Sequence, residues 1–205
     1  HLFYITSAGI SLLNISTSES RLLYSNTTED FFQVPSLYYD DQLKRLWIGT
    51  GSAGLFYYDI IRKSLSDIPI RNFPKQPILA IRKDAKNTLL IGIDGQGIWN
   101  ISEKGDTILH IYKEDLNNPF SLRGDGVYDI LCDGSKNWIA TFTGKLSFFE
   151  NNNSQITPVT YQINNPNSLG NNYVNQIIED HEGHIWFATN NGVSRWDATS
   201  NKWKH

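Results

Sequence analysis

The feature that most constrains this 205-residue chain is a short pattern that recurs along its whole length. One hydrophobic position in each copy can be aligned as a column, and successive members are 44, 43, 48 and 48 residues apart. The column consists of Phe3, Trp47, Leu90, Trp138 and Trp186. A period in the forties with strand-like units is typical of a β-propeller or a similar array, in which each repeat forms one sheet, or blade.

Each copy contains the same segments in the same order. An apolar first strand leads into a polar turn, a second strand carries the column residue, and a glycine-containing hairpin leads into a third strand. A weaker fourth segment follows, for example at 107–112 and 156–162. Apolar and polar residues do not alternate cleanly, which is expected of sheets covered on both faces. The sequence therefore predicts an all-β chain of about four to five propeller blades, each four-stranded and antiparallel.

Two residue types recur at the turns. A glycine stands in each hairpin between the second and third strands, where a positive φ costs glycine nothing. An aspartate ends each first strand, and its side chain is expected to accept hydrogen bonds from the backbone of the following turn. The glycines are Gly54, Gly97, Gly144 and Gly192, and the aspartates are Asp40, Asp84, Asp133 and Asp180.

These copies predict a single propeller segment over residues 1–205. The predicted units are a partial blade at 1–33 and blades at 34–72, 73–116, 117–163 and 164–205. The opening copy lacks a first strand, so we expect an open arc whose terminal blades expose apolar faces. Exposed faces of that kind drive association, and a homodimer or an aggregate is expected. The alternative is a compact four-bladed ring in which the first residues complete the last blade.

The copy at 164–197 reads NNPNSLGNNYVNQIIEDHEGHIWFATNNGVSRWD and closely resembles the two-component regulator propeller repeat. That repeat has the pattern N-x-x-S-L, V-x-x-I-x-E-D, G-x-I/L-W-x-x-T and G-V/L-x-R-W/Y-D. The copy at 117–150 is one residue shorter and lacks the arginine, and the copies at 34–59 and 78–102 match in their cores. The resemblance implies part of a seven-bladed propeller.

In that family the propellers lie in the sensors of hybrid two-component systems, so the resemblance also implies a location and a role. It implies the periplasmic portion of an inner-membrane protein, which senses an oligosaccharide and signals to a histidine kinase. The implied partners are the ligand and the remaining blades and domains of the parent sensor. The segment itself is expected to use no cofactor and to have no catalytic activity.

Composition and charge exclude other partners. The net charge is −3 and no cluster of Lys and Arg is visible, so the chain lacks the basic patch that nucleic-acid binding requires. No run of 18 apolar residues occurs, so direct membrane insertion by this segment is not expected. The single cysteine, Cys132, lies in the apolar run YDILCDG and is expected to be a buried thiol.

Two motifs resemble chemical sites. His181 and His184 lie next to acidic residues, but the equivalent positions of other copies hold unrelated residues such as Asp, Ala or Gly, so we interpret them as part of a solvated turn and not as a metal site. The glycines of 92–97 resemble a phosphate-binding loop, but this loop leads into a strand instead of a helix.

The carboxylates give little support to catalysis. Most recur once per copy, as expected of architecture, and the exceptions are Asp94, Glu114 and Asp125. Nothing in the sequence assigns two of them to one pocket, as a glycan-cleaving enzyme would need. We therefore predict a ligand-binding segment, with a propeller-fold enzyme and a purely structural interaction module as alternatives.

Candidate ligand-binding residues are those that break the repeat. Asp94 and Gln96 lie in a hairpin whose counterparts are small, Trp99 replaces Phe or Ser, and Arg123 stands where another copy has Gly170. Aromatic rings and planar polar groups suit sugars, since they combine stacking on the sugar face with directed hydrogen bonds. For Trp99 packing between blades is the competing interpretation, and for Arg123 it is simple exposure to solvent.

Overall fold

The computed structural model describes residues 2–6, 9–25 and 36–205, and these ranges are all-β. Their strands form five sheets. The first sheet contains β1 (Leu2–Thr6), β2 (Gly9–Asn14) and β3 (Glu19–Ser25). The second contains β4 (Ser36–Asp40), β5 (Arg45–Gly49), β6 (Leu55–Asp59) and β7 (Ser64–Asp67). The predicted boundary between the partial blade and the first complete blade, at 33/34, lies outside the described residues.

The other three sheets are also four-stranded. The third contains β8 (Ile78–Lys83), β9 (Leu89–Ile93), β10 (Gly97–Ile101) and β11 (Ile108–Tyr112). The fourth contains β12 (Val127–Cys132), β13 (Lys136–Thr141), β14 (Lys145–Glu150) and β15 (Asn153–Val159). The fifth contains β16 (Val174–Glu179), β17 (Ile185–Thr189), β18 (Gly192–Asp197) and β19 (Lys202–Lys204). In the ranges described, no helix is long and apolar enough to cross a membrane.

Every sheet is a meander in which each strand pairs antiparallel with the next along the chain. The prediction of an all-β chain built from four-stranded antiparallel blades is therefore confirmed. One fourth strand is displaced from its predicted position, since β15 begins at Asn153, three residues before the predicted segment 156–162. Pairing with β14 continues to the turn at Asn151 and Asn152, which extends the strand toward its N-terminal end.

The sheets pack face to face in chain order, with β4 against β8, β8 against β12 and β12 against β16. Three of the column residues lie in these interfaces. Trp47 packs with residues of β8 and β9, Leu90 packs with residues of β12 and β13, and Trp138 packs with residues of β16 and β17. A blade thus buries its faces against neighbouring blades, which explains why its strands do not alternate.

The turn aspartates behave as the sequence predicts. Asp133 Oδ1 accepts the backbone N–H groups of Ser135 and Lys136 at 2.9 and 2.6 Å, and Asp180 Oδ1 accepts those of Glu182 and His184, both at 2.9 Å. The equivalent bonds form at Asp40 and Asp84. In the last two blades the second carboxylate oxygen accepts the indole N–H of the column tryptophan, at 2.8 Å from Trp138 and 2.6 Å from Trp186.

The hairpin glycines have positive φ, from 72° to 94°. At Gly97 the requirement is also steric, because an added Cβ would lie 2.1 Å from the carbonyl oxygen of Tyr112. Gly54, Gly97 and Gly192 lie opposite the last residue of the second strand or the residue just after it. Gly144 instead lies in the turn, one residue before the position that pairs with the end of its second strand. The structurally equivalent residue of that blade is Lys145, which pairs with Thr141.

A buried carboxylate links three successive blades. Asp129 on β12 accepts a hydrogen bond from Arg82 on β8 at 3.1 Å and from the backbone N–H of Ile177 on β16 at 2.9 Å. Its burial raises the pKa of this carboxyl, and the bonds from Ile177 and Arg82 oppose that shift. Because these groups come from different sheets, Asp129 fixes the inner strands relative to one another.

Candidate functional site

One end of the blades collects two kinds of connection. In a four-stranded meander the hairpin between strands two and three lies at the same end as the linker from strand four to the next blade. We call this the hairpin end. Each hairpin is bound to the residue that precedes its own first strand: Asp94 N donates to Pro77 O, Phe142 N to Gly126 O and Asn190 N to Tyr173 O, at 2.8 to 3.1 Å. Three blades therefore present equivalent positions side by side.

A pair of exposed aromatic rings lies at this end of the β12–β15 sheet. The pairing of β12 with β13 shifts register between Val127 and Asp129, which is a bulge that leaves Tyr128 unpaired. Bulges of this kind redirect a side chain. The Tyr128 and Phe142 rings lie with centroids 3.7 Å apart and a 46° angle between their planes. They are 37% and 42% exposed, and neither belongs to the hydrophobic clusters found among the described residues.

The Phe142 ring rests directly on the backbone beneath it. A Cβ added at Gly126 would lie 2.2 Å from Phe142 Cδ2, so only glycine permits this approach. The bond from Phe142 N to Gly126 O, at 2.8 Å, holds the same two residues together. The aromatic pair is thus held in place by its surroundings while its outer surface remains open to solvent.

The equivalent positions on the neighbouring blades are not aromatic pairs. The same register shift leaves Leu79 unpaired in β8 and Asn175 unpaired in β16. Their hairpin counterparts are Asp94 and Asn190, and Asn175 Nδ2 donates to Asn190 Oδ1 at 2.8 Å. A carboxylate on one neighbouring blade and two amides on the other therefore flank the aromatic pair, which is an arrangement suited to a ligand with an apolar face and hydroxyl groups.

A cleft of about 360 Å³ adjoins the aromatic pair on the other side of the same hairpin. Its walls include Arg123, Thr143, Lys145, Asn172 and Tyr173. The hairpin turn at 142–144 contributes Phe142 to the aromatic pair and Thr143 to the cleft, so one turn carries residues of both features.

The structure brings three of the four predicted ligand residues to the hairpin end. Asp94 and Gln96 lie in the β9–β10 turn, where Gln96 Oε1 accepts a bond from Lys113 Nζ at 3.2 Å, and Arg123 lines the cleft. Trp99 lies in the middle of β10 instead. Its ring packs edge-on against Phe73 with centroids 5.2 Å apart and belongs to the cluster between two blades, which favours packing as its role.

Sequence reasoning missed the aromatic pair, Lys145 and Tyr173. The signal was present, because Phe142 aligns with Asp94 and Asn190, and Tyr128 aligns with Leu79 and Asn175. Lys145 was missed because Gly144 was aligned with the other hairpin glycines, which hid the departure at the next residue.

The histidine-containing turn is held together by its own hydrogen bonds. Asp180 accepts two backbone N–H groups and the Trp186 indole, and that indole is the largest cause that lowers the pKa of Asp180 far below its usual value. His184 Nδ1 lies 3.3 Å from Asp180 Oδ2. Among residues 2–6, 9–25 and 36–205, no group of three or more His, Cys, Asp or Glu could hold a metal ion.

Cys132 is packed against the cluster between the β8–β11 and β12–β15 sheets. Burial raises the pKa of its thiol to about 12, and the nearby Asp84 adds to this shift. The thiol is therefore protonated at neutral pH, and it lacks the thiolate character that a nucleophile needs.

Comparison with known proteins agrees with this description. Residues 168–191 match the family model described as "Two component regulator propeller". The extracellular domain of the hybrid two-component system BT3049 from B. thetaiotaomicron superposes with a TM-score of 0.69 at 18% identity, over 98% of this chain and 28% of that one. The extracellular domain of BT4673 from the same organism gives 0.55 at 18% identity, over 99% and 33%.

PorZ, a surface component of the type-IX secretion system of Porphyromonas gingivalis, gives a TM-score of 0.66 at 16% identity, over 91% of this chain and 29% of that one. None of the curated protein sequences matches the chain significantly. The chain spans about a third or less of the length of these solved structures. The predicted resemblance is confirmed: the chain carries a two-component regulator propeller repeat and has the fold of propeller blades from the extracellular regions of hybrid two-component systems.

Proposed function

We propose that this chain is a ligand-sensing part of a two-component signalling protein and that it binds a carbohydrate at the hairpin end of the β12–β15 sheet. The observation that carries the proposal is the exposed pair Tyr128 and Phe142. Here two large aromatic rings are held against each other at the surface instead of in an interface between blades. Rings of this kind bind the apolar C–H face of a sugar, while the flanking carboxylate and amides suit its hydroxyl groups.

The proposed setting follows the proteins with the same fold. The solved structures with similar blades are described as extracellular domains of hybrid two-component systems. By analogy, we place this chain in the periplasmic portion of an inner-membrane protein whose output is a histidine kinase. Its protein partners would be the remaining blades and domains of that sensor, and occupancy of the hairpin end would alter how they pack.

The chain itself is proposed to be non-catalytic. Of the carboxylates that break the repeat, Asp125 and Glu114 have roles in the linker. Asp125 Oδ1 accepts the backbone N–H of Glu114 at 2.7 Å, and Glu114 forms a β-bridge with Leu122. We expect no release of product from any bound glycan. Hydrolysis that Asp94→Ala or Asp125→Ala abolishes would favour the enzyme instead.

A binding experiment tests the proposed site. The 205-residue chain would be titrated calorimetrically with neutral oligosaccharides from starch, xylan and inulin, and with acidic oligosaccharides from pectin and heparin. We expect at least one to bind and Phe142→Ala to weaken that binding by roughly fivefold, since an aromatic contact is worth about 1 kcal/mol.

The matched control is Phe120→Ala, which removes a ring of similar exposure, 51%, from the linker next to β15. We expect this variant to bind as the unmodified chain does. The proposal is wrong if none of these oligosaccharides binds, or if Phe142→Ala and Phe120→Ala have equal effects.

A further inference from the structure

We propose that the cleft beside the aromatic pair is an anion-selecting subsite, in which Arg123 and Lys145 bind a carboxylate or a sulfate ester carried by the sugar ligand. This inference rests on the proposed function and specifies the class of carbohydrate, namely an acidic one. Both anions offer several acceptor oxygens around one negative charge, which matches the donors of a guanidinium and an ammonium group.

The charge of the cleft differs from that of the chain. The whole sequence has 21 acidic and 18 basic residues, and its net charge is −3. The cleft has two basic residues and no acidic residue in its lining. A cleft lined by one sign of charge concentrates ligands of the opposite sign.

Neither cation is neutralised by a carboxylate. No acidic group among the described residues lies within salt-bridge distance of Arg123 or Lys145. Arg123 donates one hydrogen bond, from Nη2 to Pro119 O at 2.7 Å, and this bond orients the guanidinium while leaving most of its donors available. Lys145 is exposed at the first residue of β14.

The backbone that carries Arg123 is fixed to the opposite wall of the cleft. Its carbonyl oxygen accepts the hydroxyl of Thr143 at 2.5 Å and that of Thr141 at 3.3 Å. The next residue, Gly124, has a φ of 133°, and an added Cβ there would lie 2.7 Å from Thr143 Oγ1. The position of Arg123 relative to the β13–β14 hairpin is therefore set before any ligand arrives, which lowers the entropic cost of binding.

The remaining wall is suited to a sugar ring. Tyr173 lies against the hairpin so closely that a Cβ added at Gly144 would be 2.3 Å from Tyr173 Cδ1. Pro158 and Val159 add apolar surface, and Asn172 and Thr160 add polar groups. A sugar residue in the cleft would thus meet an aromatic ring, hydrogen-bonding groups and two cations, next to the ring pair that holds its neighbour.

Comparison with the other blades shows that the fold does not require these cations. The position of Lys145, opposite the end of the second strand, is glycine in the other complete blades, at Gly54, Gly97 and Gly192. The position of Arg123 is Gly170 in the next blade. Two cations thus appear in one blade at positions that are glycine in the next blade, and both line the same cleft.

The test compares acidic oligosaccharides with matched neutral forms. Oligogalacturonate would be compared with its fully methyl-esterified form, and a heparin fragment with its desulfated form. The first pair isolates the carboxylate and the second isolates the sulfate ester. We expect one acidic form to bind at least tenfold more tightly than its matched form and to bind less tightly as salt increases.

Variants connect that preference to the cleft. Arg123→Gln and Lys145→Gln should each reduce the affinity for the acidic form by roughly tenfold, because each removes a charge-assisted bond, and should leave the affinity for the neutral form unchanged. Lys113→Gln is the control, since it removes an equal charge at the same end but outside the cleft.

A second measurement tests the subsite without a long ligand. Free galacturonate and inorganic sulfate would be titrated into the ¹⁵N-labelled chain, and the amide shifts of Gly144, Lys145 and Tyr173 followed. Anion-induced amide shifts that are present in the unmodified chain and absent from the double variant Arg123→Gln/Lys145→Gln would support the subsite. The inference is overturned if neutral and acidic forms bind equally and the variants have no effect, or if neither anion shifts these amides. If the unmodified chain binds no oligosaccharide at all, that result contradicts the proposed function instead.

Discussion

The β12–β15 and β16–β19 sheets come from closely similar repeats, but their burial differs. Strand β13 is buried on both faces, whereas the equivalent β17 is buried on only one. Trp138 is 1% exposed, while its counterpart Trp186 is only half-buried. Similarly, Ile178 on β16 is 53% exposed, although its counterpart Leu131 packs in an interface. The repeat specifies residues for two covered faces, and a neighbouring blade must supply the cover.

The exposed face of the β16–β19 sheet carries apolar side chains together with Arg195, whose guanidinium lies over the Trp186 ring. Ile178, Trp186, Ala188 and Val193 lie on it in register. This fits the expectation that other blades, or a second copy of the chain, cover the face. Which of the two covers it, and whether the segment forms an arc or a ring, stays a prediction.

The largest expected effect separates the two column tryptophans. Trp138→Ala should reduce the free energy of unfolding by about 3–5 kcal/mol, because it removes a fully buried ring and leaves Asp133 without its indole donor. Trp186→Ala likewise removes an indole donor, from Asp180, but should cost only about 1–2 kcal/mol, because that side chain is already partly exposed to water. Urea unfolding followed by circular dichroism measures both. Equal losses would contradict the difference in burial, and a Trp186→Ala loss that grows with protein concentration would show that the face is covered by self-association.

The next comparison concerns the inner strands. Asp129→Ala should cost about 2–3 kcal/mol, because it leaves the Ile177 N–H and the Arg82 guanidinium without their partner. The structurally equivalent Gln176 is exposed, and Gln176→Ala should change stability by less than about 0.5 kcal/mol. The same unfolding measurement serves for both variants. Similar values for the two would mean that Asp129 does not hold the blades together.

A smaller effect concerns pH. Burial alone would raise the pKa of the Asp133 carboxyl, but the bonds from Lys136 N, the Trp138 indole and Ser135 together lower it below its usual value. A carboxyl with a lowered pKa contributes stability that is present above its unfolded pKa, about 4, and is lost as the pH falls below that value.

Asp133→Asn should therefore be less stable than the unmodified chain at neutral pH, and the difference should shrink as the pH falls from about 4 toward 2. Asp180→Asn should show the same trend, since the pKa of Asp180 is lowered chiefly by the Trp186 indole. Thermal unfolding across this range measures it. A difference that stays constant with pH would contradict the assignment of the stabilising bonds to the ionised carboxylates.

The sequence was sufficient for the architecture, because the architecture depends on residues that recur. Trp138 and Asp133 have counterparts in other copies, so their roles could be derived by alignment. The site depends on residues that occur once. Recognising Lys145 required the pairing of the β13–β14 hairpin, in which Lys145 and not Gly144 lies opposite Thr141. Tyr128 differs from Leu79 and Asn175 in the alignment, but recognising that its ring is exposed required the bulge in β12.

Thiol labelling probes the burial of the two compared sheets, and its substitutions are expected to change stability least. Cys132 is packed between blades and the pKa of its thiol is about 12, so at neutral pH it should react with a maleimide far more slowly than an exposed cysteine. Ile178 lies on the exposed face of the β16–β19 sheet and is 53% exposed. In a Cys132→Ser background, Ile178→Cys should be labelled rapidly, because no described blade covers that position. Slow labelling at both positions would contradict the difference in burial and would indicate that the face of the last sheet is covered in solution.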